Sequence, residues 1–189
     1  MMRAAAKLPL RACLINADWR EKVSATIIVA RQAGSHIAAS AFMADLGCLG
    51  VKWAVAEPSL TESEFAALLE RFSGVEELID CTPAFAARLL TGACNYAASL
   101  GFKPDRDYPA AKQIFGNVGS DDSEPDEPIE YGRDGKPFYV SGPYDDAEAI
   151  INRLRRKLGP DGFHFITPFP PGEWEWDDEE DSEDDEDLD

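Results

Sequence analysis

The chain has 189 residues, of which 44% are hydrophobic, so it is long enough and apolar enough to bury one substantial core. Its formal net charge of -18 argues against direct nucleic-acid binding of the usual kind, because that binding needs clustered Lys and Arg to neutralise phosphates. No apolar stretch approaches the roughly 20 residues that a membrane-spanning helix needs, so we expect a soluble protein with no membrane contact.

The negative charge is concentrated at the C-terminal end. Residues 173–189, here called the acidic segment, contain 13 acidic residues and no Lys or Arg. Subtracting these 13 from the 36 acids of the chain leaves 23 against 18 bases, so residues 1–172 carry a net charge of only about -5. We therefore predict one α+β domain over residues 8–167, followed by a Pro-rich linker and a disordered acidic tail over residues 168–189.

The four cysteines predict free thiols in a reducing compartment. Cys13, Cys48, Cys81 and Cys94 are separated by 35, 33 and 13 residues, which matches neither a zinc-ligand spacing nor a CxxC redox motif. Each lies among apolar neighbours, as buried thiols do. We therefore expect a cytoplasmic protein with no bound metal and no cofactor.

Three β-prone runs occupy the first quarter of the chain. Residues 11–16, 23–31 and 36–45 are rich in apolar and β-branched side chains, and a short Gly-containing loop joins the last two runs. This pattern predicts a three-stranded antiparallel meander. Many of its side chains are Ala or Ser, so another element must pack closely on the sheet. Residues 46–56 contain two glycines and fit either a bulged strand end or a bend into a helix.

Two helices have clear start signals. Thr61 followed three residues later by Glu64 is the sequence of a capping box, and an apolar face with helical spacing follows. Thr82 with Pro83 predicts the start of a second helix, which Gly101 terminates.

The remaining segments of the middle region are shorter. Residues 75–81 fit a short strand or an extended link, and residues 108–115 fit a short helix. Gly92 lies inside the second predicted helix, where it costs about 1 kcal/mol relative to Ala. That cost predicts that the helix packs closely against the small side chains of the sheet.

The last part of the domain predicts a hairpin, a helix and a short strand. Residues 129–141 surround Asp134-Gly135, and Asp-Gly between β-prone runs is a strong signal for a two-residue hairpin turn. A helix capped by Asp145 or Asp146 follows, and residues 163–166 fit a final strand. The predicted fold class is α+β: an antiparallel three-stranded meander packed by helices, with a second small hairpin and a C-terminal helix.

Three segments resemble those of a bacterial protein family: Cys48–Lys52 (CLGVK), Ser99–Asp105 (SLGFKPD) and Gly132–Pro143 (GRDGKPFYVSGP). The similarity spans roughly Leu8 to Ile166. The family has no assigned activity, cofactor or catalytic residue. The resemblance therefore implies a single-domain, bacterial, cytoplasmic protein and does not extend to the acidic segment.

One enzymatic alternative depends on carboxylates. The predicted order strand, strand, strand, helix, strand, helix matches the first half of an RNase H-like fold, which places acids near the first and fourth strand ends and on the first helix. Asp18, Glu64 (or Glu62) and Asp80 fall near those positions. A two-metal nuclease needs such carboxylates to converge on ions about 4 Å apart. The same residues also have plain structural interpretations as a turn residue, a helix cap and a helix start.

The leading functional hypothesis is a non-enzymatic interaction protein that engages a basic partner surface through the acidic segment. A basic cluster ends the last helix, where the helix dipole favours cations and where an anionic group could dock. Two tryptophans at the root of the acidic segment are candidate anchors, because Trp is enriched in binding hot spots. The candidate partner-binding residues are Arg153, Arg155, Arg156, Lys157, Trp174 and Trp176. Lys52 and Trp53, which follow a glycine-rich bend, could also line a pocket.

Overall fold

A computed structural model describes residues 2–116 and 128–167. The helices are α1 (Met2–Ala5), α2 (Trp19–Lys22), α3 (Glu62–Ser73), α4 (Pro83–Ser99), α5 (Tyr108–Ala111) and α6 (Ala147–Leu158), with a 3-10 turn at Lys112–Phe115. The strands are β1 (Leu10–Asn16), β2 (Ser24–Ala33), β3 (His36–Asp45), β4 (Gly50–Leu60), β5 (Leu78–Asp80), β6 (Phe138–Val140) and β7 (His164–Ile166). The fold class is therefore α+β, as predicted.

The main sheet has five strands in the order β4-β3-β2-β1-β5, and every neighbouring pair is antiparallel. The predicted meander of three strands is present as β1, β2 and β3. The segment 46–56, for which the sequence left two possibilities, forms a turn and then the fourth strand of the same meander. Strand β5 returns after α3 to pair with β1 at the opposite edge of the sheet.

Both faces of the sheet are covered. On one face Ile27, Val29 and Phe42 share a core with residues of α4 and α5. On the other face Ile28 and Ala39 pack with α3. Because the two central strands are buried on both sides, their side chains must be small where the helices approach, which explains the many Ala residues. The close packing predicted from the Ala and Ser content is therefore confirmed.

The predicted helix signals are present as side-chain and backbone hydrogen bonds. The Glu64 amide donates to Thr61 Oγ1 at 3.3 Å, and the Thr61 amide donates to Glu64 Oε2 at 2.7 Å, which completes the capping box. At the end of α4 the Phe102 amide donates to the Ala97 carbonyl at 2.9 Å, and Gly101 has φ +90°. This is the Schellman arrangement expected where glycine ends a helix.

The second hairpin is only partly present. The turn forms as predicted, because Asp134 and Gly135 both have positive φ, and Arg133 and Lys136 exchange hydrogen bonds of 2.8 and 3.1 Å. The flanking residues, however, do not continue the pairing. The Gly132 amide donates instead to the Leu46 carbonyl at 2.8 Å, and the Phe138 amide donates to the Gly47 carbonyl at 3.0 Å.

Strand β6 pairs in parallel with β7, and not with a strand before the turn. The next amide that could continue the hairpin ladder is that of Phe138, and it donates to the Gly47 carbonyl. Helix α6 connects the two strands and encloses a small core with them. The buried members of this core are Cys48, Leu49, Leu100, Tyr139, Ile151, Leu154 and Phe163.

The glycine at position 92 of α4 makes room for a tyrosine, and not for the sheet as the sequence predicted. A Cβ at this position would lie 2.0 Å from the Tyr131 hydroxyl oxygen, which donates a hydrogen bond to the Leu89 carbonyl at 3.1 Å. The absent side chain therefore makes room for Tyr131, which packs on the main core.

We predict that Gly92→Ala lowers the free energy of unfolding by about 1–3 kcal/mol, because the new methyl group overlaps Tyr131. In a Tyr131→Ala background the same substitution should raise stability by about 1 kcal/mol, through helix propensity alone. A double-mutant cycle measured by urea unfolding tests this reversal of sign. Destabilisation of equal size in both backgrounds would contradict the assigned role of Tyr131.

Candidate functional site

A cleft of about 370 Å³ lies at the end of the sheet where β2 begins and β3 ends, beside the segment that follows β6. We call it the sheet-end cleft. Its lining is mostly apolar and carries charged groups at intervals. The lining residues are Lys22, Val23, Ser24, Met43, Ala44, Asp45, Lys52, Phe138, Val140, Ser141, Gly142 and Pro143.

A β-bulge places Lys52 in this cleft. Met43 pairs with Trp53 and Ala44 pairs with Val51, so Lys52 is the extra residue of β4 between the two pairs. The bulge turns the strand locally and leaves Lys52 exposed at the cleft. The expectation that Lys52 lines a pocket agrees with this position. Trp53, in contrast, packs on Phe72 of α3, with ring centroids 6.2 Å apart.

Asp145 organises the wall opposite the sheet. Lys52 Nζ lies 2.7 Å from each carboxylate oxygen of Asp145. The amide of Gly142 donates to Asp145 Oδ2 at 2.9 Å, and the Tyr139 hydroxyl donates to the same oxygen at 3.3 Å. Burial raises the pKa of Tyr139 to about 12, so this hydroxyl stays protonated as a donor. Of the two cap candidates for α6, Asp146 is the cap and Asp145 forms this ion pair.

Asp45 fixes the turn between β3 and β4. Its Oδ1 accepts hydrogen bonds from the amides of Cys48 and Leu49 at 2.7 and 3.0 Å. Burial raises the pKa of Asp45, and the two amide donors together with Lys52 oppose that shift. The carboxyl group therefore stabilises the backbone at the cleft, but its burial disfavours the ionised form.

The opposite wall contains a second lysine and a strained residue. Lys22 Nζ lies 2.9 Å from Asp18 Oδ2 and 3.1 Å from Glu76 Oε1. Val23 has φ +53°, a left-handed conformation that is rare for a β-branched residue. Backbone strain of this kind concentrates at functional sites, which favours the cleft as the site of interest.

Several apolar side chains at the cleft face solvent. Met43 is 46% exposed and Val140 is 41% exposed, and both line the cleft. Tyr144, which directly follows the lining residue Pro143, is 98% exposed. Solvent-facing apolar groups grouped around a concave surface are typical of binding sites.

The structure does not bring together the carboxylates of the nuclease alternative. Because β1 and β5 are antiparallel, the pairing places Asp80 opposite Leu14, while Asp18 lies beyond the end of β1. Asp18 is four residues beyond Leu14 in the sequence and lies in the turn that follows β1, so the strand pairing does not place it opposite Asp80. Glu64 is the capping-box residue of α3, and its hydrogen bonds to the Thr61 backbone and hydroxyl lower its pKa. Residues 2–116 and 128–167 contain no group of three or more His, Cys, Asp or Glu side chains placed to hold a metal ion.

The predicted basic cluster has mixed roles. Arg153 donates to the Gly101 carbonyl at 2.8 Å and lies over the Phe102 ring at 5.3 Å, so it attaches α6 to the end of α4. Arg156 Nε donates weakly to the Asn152 carbonyl, and both Arg156 and Lys157 are exposed. Arg155 is half-buried. Trp174 and Trp176 lie outside the described residues, as does the predicted linker and tail.

The resemblance segments contribute half of the residues that line the cleft. Lys52 belongs to the first segment, and Phe138 through Pro143 belong to the third. The second segment lies behind them, where the Asp105 amide donates to the Val51 carbonyl at 2.8 Å. Sequence reasoning missed Met43, Asp45 and Asp145 as members of one site, and no short-range pattern connects them.

No protein-family model, curated protein or solved structure matches the chain. The resemblance to a bacterial family therefore stays a prediction. Within the described residues, no helix is both long and apolar enough to cross a membrane.

We predict that Asp45→Asn changes how stability depends on pH. A raised pKa in the folded state means that the folded protein loses stability, relative to the unfolded chain, as pH rises from the ordinary carboxyl pKa to the raised one. Asn keeps the acceptor oxygen but cannot ionise. The stability of wild type relative to Asp45→Asn should therefore fall as pH rises above the ordinary carboxyl pKa of about 4, as measured by urea unfolding.

The matched control is Asp45→Ala, which removes the oxygen that accepts from the Cys48 and Leu49 amides. This variant should lose about 1–3 kcal/mol across the whole pH range. A difference between wild type and Asp45→Asn that does not vary with pH would contradict a buried, titrating carboxyl group.

A second prediction concerns the four free thiols. Cys13 lies on β1, and Cys81 directly follows β5. Their sulfur atoms are 3.5 Å apart. The hydrogen bond with Cys81 and burial raise the pKa of Cys13, while burial raises those of Cys48 and Cys94. Because Cys13 and Cys48 are buried and the thiolate is the reactive form, iodoacetamide should label Cys81 before either of them. Peptide mass spectrometry after brief labelling tests this order, and earlier labelling of Cys13 or Cys48 would refute it.

Proposed function

We propose that this chain is a non-enzymatic, cytoplasmic interaction protein that uses the acidic segment to bind a basic surface of a partner. The observation that carries the proposal is the charge distribution: 13 acids and no base in residues 173–189, after a body of nearly balanced charge. Such a run attracts cationic surfaces over a distance set by ionic screening. The four free cysteines support a reducing compartment.

The described part of the body supports a binding role more than the nuclease alternative. Asp18 is ion-paired with Lys22, Glu64 is used in a helix cap, and Asp80 lies opposite Leu14 in the strand pair and not opposite Asp18. A cluster of apolar side chains remains open to solvent at the sheet-end cleft. Those features suit recognition of another molecule.

The exposed cations of helix α6 would compete with a partner for the acidic segment. Helix α6 runs from the end of β6 back to the start of β7, so its last turn lies one helix length, about 18 Å, from the end of β7. The 22 residues after Thr167 are long enough to cover that distance. Arg156 and Lys157 are the exposed cations that such a contact would use.

The proposal is tested with three baits: the full chain, residues 1–172, and a full-length variant in which the acids of 173–189 are changed to Asn and Gln. At about 0.05 M salt we expect the full chain alone to retain a basic partner, and raising salt to about 0.5 M should release it because screening weakens exposed charge pairs. Binding must then be reproduced with the purified partner.

The neutralised variant keeps chain length and removes only charge, so it separates electrostatic attraction from other effects of the segment. If all three baits retain the same proteins at low salt, the proposal is rejected. If Arg156→Ser together with Lys157→Ser strengthens partner binding by the full chain but not by residues 1–172, the acidic segment also contacts its own helix α6.

A further inference from the structure

We infer that Cys13 and Cys81 form a reversible oxidation site, in which a peroxide converts the two thiols into a disulfide that joins β1 to the start of α4. Neither cysteine lines the sheet-end cleft, and the site uses no residue after 167. Its test is therefore independent of the proposed function. In a reducing compartment such a disulfide is transient and reports the presence of an oxidant.

The pairing of the strands places the two cysteines opposite each other. The antiparallel register of β1 with β5 ends at Leu14 and Asp80, so Cys13 and Cys81 form the next opposed pair. The Cys81 amide donates to the Cys13 carbonyl at 2.9 Å, which continues the pairing by that step. Opposed residues of antiparallel strands have Cα atoms about 4.5–5.5 Å apart, a separation that a disulfide spans.

The two side chains are already in contact. Their sulfur atoms lie 3.5 Å apart, whereas a disulfide holds them at about 2.05 Å. The sulfur atoms must therefore approach by about 1.5 Å, which small side-chain rotations supply while the backbone stays in place. The other two thiols lie elsewhere, because Cys48 belongs to the small core around α6 and Cys94 packs beside Gly50 at the β4 edge of the sheet.

The different exposure of the two thiols assigns their roles. Cys81 is half-buried, whereas Cys13 is only 3% exposed and belongs to the main core. The hydrogen bond with Cys81 and burial raise the pKa of Cys13, so this thiol stays protonated in the reduced protein. An oxidant that arrives from solvent therefore reacts with Cys81 first, and Cys13 acts as the resolving thiol.

Hydrogen peroxide supplies the two oxidising equivalents. The Cys81 thiolate attacks one peroxide oxygen, so that an S–O bond forms, the O–O bond breaks and the released hydroxide takes up the thiol proton to become water. The Cys13 sulfur then attacks the sulfenic sulfur of Cys81. The S–S bond forms, the S–O bond breaks and the hydroxyl group leaves as water with the Cys13 proton. A thiol reductant of the cell reverses the reaction by thiol–disulfide exchange.

The disulfide would attach a short edge strand covalently to the sheet. Strand β5 has three residues, of which two are exposed, and Cys81 lies between this strand and Thr82, the cap of α4. In the reduced protein only hydrogen bonds and packing hold this junction against β1. The new bond closes a loop between residues 68 positions apart, and such a link stabilises a protein mainly by restricting the unfolded chain.

The test exposes the full chain to a small molar excess of hydrogen peroxide, blocks the remaining thiols with N-ethylmaleimide and maps the peptides without reduction. We expect a linked pair of peptides that contain Cys13 and Cys81, and a loss of two of the four free thiols. The midpoint of urea unfolding should rise by at least about 1 M. Dithiothreitol should reverse all three changes.

Three variants separate the roles of the thiols. Cys13→Ser should stop at the sulfenic acid of Cys81, which dimedone traps as a stable adduct, whereas Cys81→Ser should yield neither a linked peptide nor an adduct at Cys13. The matched control, Cys48→Ala with Cys94→Ala, keeps both members of the pair and should form the disulfide to the same extent as wild type. Urea unfolding of each reduced variant shows whether it is folded.

The outcomes that would overturn the site are distinct. Wild type that keeps four free thiols under peroxide, or whose linked peptides contain Cys48 or Cys94, refutes the pairing. Dimedone labelling of Cys13 in the Cys81→Ser variant that equals labelling of Cys81 in the Cys13→Ser variant refutes the assigned roles. If either serine variant does not fold, the peptide maps of wild type and of the control variant decide the matter.

Discussion

Burial of β2 and β3 on both faces is the constraint on which the rest of the structure depends. These central strands contact α4 and α5 on one side and α3 on the other. The Ala and Ser side chains interspersed on these strands let the helices approach closely, as where Ser40 donates to the Ala111 carbonyl at 3.0 Å. The sheet-end cleft accordingly lies at an end of the sheet and not on either face.

The short connection between β3 and β4 links the sheet to the second part of the fold. Its Leu46 and Gly47 carbonyls accept hydrogen bonds from the two sides of the Asp134-Gly135 turn. A Cβ at residue 47 would lie 2.0 Å from the Phe138 carbonyl oxygen, so only glycine permits this approach. Asp45 stabilises the same connection from within. The sheet-end cleft exists because this connection holds β6 and the residues after it above an open sheet end.

Charged side chains near the cleft occur in ion pairs, whereas the sequence after residue 172 contains acids and no base. Near the cleft, individual lysines are held between carboxylates at 2.7–3.1 Å, so each cation is locally satisfied. Beyond Thr167 the sequence carries many acids and no compensating base after residue 172. Paired charges contribute mainly to local order, whereas unpaired charges act over a Debye length and attract partners. That contrast is the basis of the proposed interaction role.

The sequence alone determined the features that depend on neighbouring residues. The capping box at Thr61, the start of α4 at Thr82, the Asp-Gly turn and the meander of the first three strands all involve contacts within a few residues or between adjacent strands. Local geometry and hydrophobic periodicity decide such features, so they can be read from the chain.

Only the tertiary structure decided the features that join distant parts of the chain. Lys52 and Asp145 are 93 residues apart, and neither residue has a local signal for the other. The parallel pairing of β6 with β7 and the antiparallel pairing of β5 with β1 likewise depend on where α6 and α3 pack. The physical reason is that these contacts gain their energy from burial and long-range hydrogen bonds, which the sequence pattern of a single segment does not specify.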